Sequence, residues 1–99
     1  MKVTLKEHTQ VVYQKTTHEI VVDISGTEYI IRQSEDDNGV EYYVFSETLN
    51  NGNWTDPCDI EDEELRDVVE KLANAAHDDF IFSAANEGNE VDLEELNDY

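Results

Sequence analysis

The sequence has little cysteine and little positive charge, and each shortage excludes a class of structure or partner. A single cysteine, Cys58, rules out an internal disulfide. Six Lys and Arg residues stand against 25 Asp and Glu, so the formal net charge is −19. A surface with this charge repels nucleic acid and anionic lipid and attracts basic surfaces. We therefore expect a basic protein partner, with no direct binding to nucleic acid or membrane.

Long apolar runs are also missing. None approaches the roughly 18 residues of a membrane-spanning helix, and no basic start precedes an apolar stretch as in a secretory signal. We therefore expect a cytoplasmic protein in its host cell. Leu, Ile, Val and Phe still make up about a quarter of the 99 residues, above the roughly 20% below which a highly charged chain stays disordered. One folded domain is expected at 1–88, with an acidic tail at 89–99.

Three segments alternate apolar and polar side chains with the period of two that is typical of β-strands. They span 18–24, 28–33 and 40–47. Turn residues separate them, and Asn38-Gly39, just before the third segment, is a strong hairpin signal. An antiparallel sheet of three strands is therefore predicted, and residues 10–14 are a candidate fourth strand.

One principal helix is predicted after the sheet. The pair at 56–57, Asp then Pro, indicates its start, because Asp is a favoured N-cap and proline fits the first helical position. An apolar stripe at helical spacing follows, formed by Leu65, Val68, Val69, Leu72 and Ala76. Residues 78–86 fit either a helix or a strand, and the tail fits a short helical turn or a frayed end. The predicted fold class is α+β: an antiparallel sheet of three or four strands packed against one principal helix, with an acidic C-terminal tail.

Negative charge is concentrated late in the chain, since residues 34–99 carry all of the net charge. Acids in the first turn of a helix are ordinary, because each favours the helix dipole by about 0.3–1 kcal/mol. Acids further along, such as Asp67 and Glu70, gain little from the dipole and repel like charges three or four residues away. We expect a basic partner to relieve this repulsion.

The spacing of these acids predicts a binding surface. Helical neighbours three or four residues apart lie about 5–6 Å from one another, and strand residues two apart about 6.6 Å. Phosphates along a DNA strand recur on a similar scale, so a row of such acids imitates a phosphate row. The predicted partner-binding residues, on the second hairpin and one flank of the helix, are Glu35, Asp36, Asp37, Asn38, Gly39, Glu41, Glu63, Asp67 and Glu70.

The sequence predicts no metal site, cofactor or catalytic residue. An EF-hand alignment with Gly39 at its sixth position puts Phe45 where the bidentate Glu is required. The histidines, His8, His18 and His77, show no zinc-binding spacing and lack a second cysteine. Nearby negative charge is expected to raise the pKa of any thiol and to disfavour a thiolate nucleophile. Because no nucleotide-binding or hydrolase motif occurs either, we expect a protein that is not an enzyme.

The segments ISGTEYIIR, at 24–32, and NGVEYYVFSE, at 38–47, resemble part of a known family. This family is the small acidic phage proteins that inhibit the CRISPR nuclease Cas9, and the resemblance covers residues 24–47. It implies a three-stranded antiparallel sheet packed on helices, with acidic residues that occupy the groove where the nuclease reads its DNA target. By the resemblance, Asn38, Gly39 and Glu41 fall at the hairpin tip that inserts into that groove.

The expected function follows from the charge and the resemblance together. It is a phage or mobile-element inhibitor that mimics nucleic acid and occludes the DNA-binding groove of a host defence nuclease, such as Cas9 or a restriction enzyme. The alternative is a small structural, adaptor or immunity protein that binds a basic partner without imitating DNA. Exclusion of DNA from the partner distinguishes the two.

Overall fold

One four-stranded antiparallel sheet and one α-helix make up the regular structure. A computed structural model describes residues 1–99, except for the side chain of Asp98. The strands are β1 (Val3–Val12), β2 (Thr16–Ile24), β3 (Thr27–Asp36) and β4 (Gly39–Phe45), and they lie in the order β1-β2-β3-β4. Helix α1 spans Glu63–Ala75. This arrangement confirms the predicted α+β class and fixes the number of strands at four.

The first strand begins earlier than the sequence predicts. Residues 10–12 are its end, and residues 13–15 connect it to β2. Val3 and Leu5 are buried, but the pairing register shifts between Leu5 and Glu7 at a β-bulge. A bulge inserts one residue and breaks the period of two, so the alternation cannot be followed beyond Leu5 in the sequence.

The core lies between the inner face of the sheet and α1, which packs on β3 and β4. The inner face contributes Val3, Leu5, Ile20, Val22, Ile24, Tyr29, Ile31 and Val44, and α1 contributes Val68, Val69, Leu72, Ala73 and Ala75. Later segments of the chain complete the cover over β1 and beside α1. Burial of these side chains supplies the main stabilising free energy, at about 25 cal/mol per Å² of apolar surface.

The predicted helix start at 56–57 is wrong. These residues open only a short 3-10 helix, Pro57–Asp59. Ile60 then turns into the core with extended backbone and is 2% exposed, which ends the helical path. α1 begins at Glu63, after the N-cap Asp62. No helix that the structure describes is both long and apolar enough to cross a membrane.

Residues 78–86 form neither of the two predicted alternatives. They are turns followed by the 3-10 helix Ala84–Asn86. The Asp78 carboxylate accepts hydrogen bonds of 2.9 Å from the backbone N–H of Phe80 and of the residue after it, which holds the chain in a local turn. Phe82 is 1% exposed, whereas Phe80 is 90% exposed. The alternation that suggested a strand therefore comes from this turn.

The C-terminal segment ends in a helical turn, one of the two predicted alternatives. It contains the 3-10 helix Leu93–Asp98, and Leu96 is fully buried while Val91 is 8% exposed. The backbone N–H of Val91 donates to the carbonyl oxygen of Val3 at 2.7 Å. Residues 89–99 therefore pack on the same core as β1.

We predict that Leu96→Ala lowers the free energy of unfolding by about 2–5 kcal/mol, the usual cost of a buried Leu→Ala change. Urea unfolding followed by circular dichroism measures it. The matched control is Leu93→Ala, which removes the same atoms from a half-buried position in the same turn and is expected to cost less. Equal losses in the two variants would contradict docking of this turn through Leu96.

Candidate functional site

The hairpin between β3 and β4 ends in an acidic tip, defined as residues 35–41, all of which are exposed. Asp36 pairs with Gly39, so Asp37 and Asn38 are the turn residues. The Asp36 carboxylate accepts a hydrogen bond from the Asn38 N–H at 2.8 Å, which fixes the turn. Gly39 has a φ of 133°, a conformation that side chains rarely adopt. The sequence-predicted residues of the tip thus sit on a defined turn.

The strands of this hairpin distribute their acids over both faces of the sheet. Glu35 follows buried Ile31 and Gln33 at a period of two and lies on the inner face, beyond the end of the core. Glu41 pairs with Ser34 and therefore lies on the opposite face. The predicted residues of the acidic tip consequently share one end of the sheet but not one face.

The predicted acids of α1 lie on the side of the helix opposite most of its buried residues. Glu63, Asp67 and Glu70 recur at helical spacing, together with Asn74, and these four residues are called the helix flank. Glu63 and Asp67 are exposed, and Glu70 and Asn74 are half-buried. At a rise of about 1.5 Å per residue, the three acids extend roughly 10 Å along the helix.

A side-chain amide joins the hairpin to the end of the helix. Gln33 Nε2 donates to the carbonyl oxygens of Ala73, at 2.9 Å, and Asn74, at 3.2 Å. Carbonyls in the last turn of a helix lack part of their helical bonding, so this buried amide supplements the bond of 3.4 Å that the Ala73 carbonyl accepts from the Ala76 N–H. Tyr42 of β4 also lines a groove of about 260 Å³ with Glu70 and Asn74. The acidic tip and the helix flank therefore belong to connected parts of the surface.

Few acids are neutralised by a cation. Among the described side chains, only Glu19 and Glu64 lie within 4.0 Å of one: Glu19 pairs with Arg32 at 2.8 Å, and Glu64 with the Met1 amino group at 3.7 Å. Arg66 instead donates to a backbone carbonyl. Because the chain contains 25 acids, the acidic tip and the helix flank keep their negative charge.

The structure also brings together three side chains that are far apart in the sequence. His8 on β1 lies opposite Ile20 on β2, which makes it a diagonal neighbour of His18 on the inner face. His8 Nε2 lies 3.2 Å from His18 Nδ1. An oxygen of the exposed Asp79 carboxylate lies within 4.8 Å of the histidine ligand nitrogens. His8, His18 and Asp79 are called the histidine cluster.

Hydrogen bonding and burial set the protonation of this cluster. The Phe82 carbonyl oxygen lies 3.1 Å from His8 Nδ1 and can only accept a hydrogen bond. His8 Nδ1 therefore carries the proton, and its Nε2 presents a lone pair to His18. Burial, and then the adjacent His8, lower the pKa of His18, although the carboxylates of Asp79 and Glu35 act in the opposite direction. His18 consequently loses its proton more readily than a solvent-exposed histidine.

The histidine cluster cannot be recognised from the spacing of its residues in the sequence. His8 and His18 are separated by a strand turn and not by a zinc-binding spacing, so the sequence predicts no metal site. The signal that reveals them is register, because the turn at 13–15 folds β1 back along β2 and pairs His8 with Ile20, two residues from His18. The sequence predicts this strand only at 10–14, which leaves His8 outside the sheet. The pairing of His8 with β2 therefore cannot be predicted from the sequence.

Comparison with known proteins gives no guidance. No protein-family model, curated protein or solved structure matches this chain. The function has therefore to be inferred from the charges and geometry of the chain's own residues.

Cys58 is exposed and lines the same groove as Glu70 and Asn74, but it is a poor nucleophile. The pKa of its thiol is raised to about 11, first by hydrogen bonding to the Asp56 side chain and further by the charges of Asp56 and Asp59. The direction of this shift agrees with the sequence expectation. A thiol with this pKa is almost entirely protonated at pH 7.

We predict that alkylation of Cys58 by iodoacetamide is slow at pH 7 and accelerates until the pH reaches about 11, the pKa of the thiol. Only the thiolate reacts, so the rate follows the deprotonated fraction. Asp56→Asn removes the first cause of the shift and is expected to move the rate profile to lower pH. Asp67→Asn, which removes the same charge from the helix flank, serves as the control. A profile centred near the ordinary thiol pKa in the unaltered protein would contradict the prediction.

Proposed function

We propose that the protein mimics nucleic acid and occupies the DNA-binding groove of a basic protein through its acidic tip and helix flank. The observation that supports this most directly is the unpaired charge, because only two acids have a cation within ion-pair distance among the described side chains. Solubility requires a net charge of only about 2–8 in magnitude for a small domain, and this chain has −19. A groove lined with Lys and Arg would neutralise the acidic side chains that the fold leaves unpaired.

The placement of the acids supports mimicry of a phosphate row. Glu63, Asp67 and Glu70 recur three and four residues apart on α1, at separations of about 5–6 Å. Gln33 holds the hairpin against the end of the same helix, so the row continues toward the exposed acidic tip. The hydrogen-bonded turn and the helix set the backbone positions of these acids before a partner binds, which reduces the entropy lost on binding.

Competition with DNA follows from the same electrostatics. DNA binds basic grooves largely by neutralising phosphates with Lys and Arg, which makes its binding weaken steeply with salt. A mimic of −19 charge is steered into such a groove by the same field, and its association also slows as ionic strength rises. The mimic and DNA consequently exclude one another.

The resemblance of residues 24–47 to phage inhibitors of Cas9 supports a host defence nuclease as the basic partner, either Cas9 or a restriction enzyme. In this role the protein needs no cofactor and no catalytic residue, since occupation of the groove is sufficient. The site of action would be the host cytoplasm, where such nucleases meet invading DNA.

A second candidate is an adaptor or immunity protein that binds a basic partner without imitating DNA. The observation that favours it is the division of the acidic tip, because Glu35 and Glu41 lie on opposite faces of the sheet. Acids on two faces fit a partner that surrounds the tip, whereas mimicry of a single phosphate row requires the acids to lie on one face. Such a partner would keep its DNA bound.

Capture from bacterial lysate on the immobilised protein, followed by elution with excess duplex DNA and mass spectrometry, tests the mimic. We expect one basic nuclease or DNA-binding protein to be released both by salt and by the duplex. A partner that salt releases but duplex DNA does not would overturn mimicry and support the adaptor.

Charge reversals map the surface on the captured partner. Asp37→Lys with Glu41→Lys, at the acidic tip, and Glu63→Lys with Asp67→Lys, on the helix flank, are each expected to weaken binding at least tenfold, or about 1.4 kcal/mol. The control is Glu87→Lys with Glu90→Lys, which makes the same charge change at exposed acids near the C-terminal segment and should leave affinity within a few fold. Equal losses in all three double variants would mean undirected charge attraction and would contradict the assigned surface.

A further inference from the structure

The histidine cluster has the arrangement of a transition-metal site. Its ligand atoms are two imidazole nitrogens and one carboxylate oxygen, all within 4.8 Å of one another. Two imidazoles with one carboxylate suit first-row transition metals such as zinc, whereas calcium and magnesium prefer oxygen ligands alone. The cluster lies at the end of the inner face, outside the residues proposed to bind the basic partner.

The distance between the two histidines matches bound zinc. Tetrahedral zinc with Zn–N bonds of about 2.0–2.1 Å separates two ligand nitrogens by roughly 3.3 Å. His8 Nε2 and His18 Nδ1 are 3.2 Å apart. The two atoms therefore already stand at the separation that a shared metal ion requires, and a metal ion would replace the proton that lies between them.

The surroundings of His8 prepare it as a ligand. Histidine ligands commonly donate their second ring N–H to a carbonyl or carboxylate, which fixes the tautomer and the ring orientation. His8 Nδ1 makes this bond to the Phe82 carbonyl oxygen at 3.1 Å. Phe82 is itself 1% exposed, so its carbonyl is held by the core. The lone pair of His8 Nε2 is consequently aimed at the cluster.

We propose that His8, His18 and Asp79 bind one divalent first-row transition metal ion, with zinc as the expected occupant. The exposed Asp79 carboxylate closes on the ion by a change of side-chain rotamer, and a water molecule completes the tetrahedron. Binding links β1 and β2 to the turn that follows α1, and it stabilises the folded chain because the unfolded chain lacks the preformed ligand set.

Isothermal titration of the full-length protein with Zn²⁺, in an excess of Mg²⁺, tests the site. Mg²⁺ occupies the diffuse acidic surface without replacing the imidazole ligands. We expect one zinc ion per chain and a rise in the thermal unfolding midpoint. Absence of zinc binding under these conditions would overturn the proposal.

Variants identify the ligands. Asp79→Asn, His8→Gln and His18→Gln are each expected to weaken zinc binding at least tenfold, since loss of even an outer partner costs about 10–100-fold. Asp67→Asn, which removes an identical charge from the helix flank, is the matched control and should change affinity by less than about threefold. Equal weakening by Asp79→Asn and Asp67→Asn would show diffuse charge binding and would overturn the site.

The unaltered protein provides a test that does not depend on the folding of the histidine variants. Co²⁺ replaces Zn²⁺ in such sites and gives intense visible absorption when its coordination is tetrahedral. We expect this spectrum to appear at one equivalent of Co²⁺ and to be lost on addition of Zn²⁺. Only the weak spectrum of hydrated Co²⁺ would overturn the proposal.

Discussion

Burial of one face of the sheet is the interaction on which this protein depends, because its charges oppose compaction. A net charge of −19 on 99 residues repels itself in every compact state, and the described side chains offset it with only two ion pairs. Hydrophobic burial between the sheet and α1 has to exceed both this repulsion and the loss of chain entropy. Fully buried Ile20, Ile31 and Leu72 are therefore required for the fold, whereas the acids outside the core are free to serve a partner.

Two polar side chains, Gln33 and His8, join separate parts of the chain. Gln33 binds the last carbonyls of α1, which sets the helix against the hairpin that carries the acidic tip. His8 binds the Phe82 carbonyl, which sets β1 against the turn after α1. Buried polar groups are costly when unpaired, so these contacts have defined geometry. The hydrogen bonds of Gln33 and His8 therefore satisfy polar groups of the fold and also position the two candidate sites, the acidic surface and the histidine cluster.

The sequence is most informative where a local pattern decides the structure. The alternation in β2, β3 and β4 predicted three strands and their order, and the predicted acidic residues are exposed except for Glu70, which is half-buried. Prediction failed where distant contacts decide. Ile60 enters the core and delays the helix, the bulge after Leu5 hides most of β1, and the histidine cluster exists only once the register of β1 with β2 is known. No periodicity in the sequence records these contacts.

The pairing of the C-terminal segment with β1 has a consequence for the order of folding. β1 is synthesised before the other strands of this sheet, yet the outer edge of its first half is completed by backbone bonds from Gly88 and Val91, and Leu96 completes the core. Contacts between residues so far apart in sequence slow folding, because a long loop must close before they form. During translation the edge of β1 therefore stays open until the C-terminal segment emerges, and residues 1–33, which contain β1 and β2, have no net charge of their own to keep nascent chains apart, because residues 34–99 carry all of it.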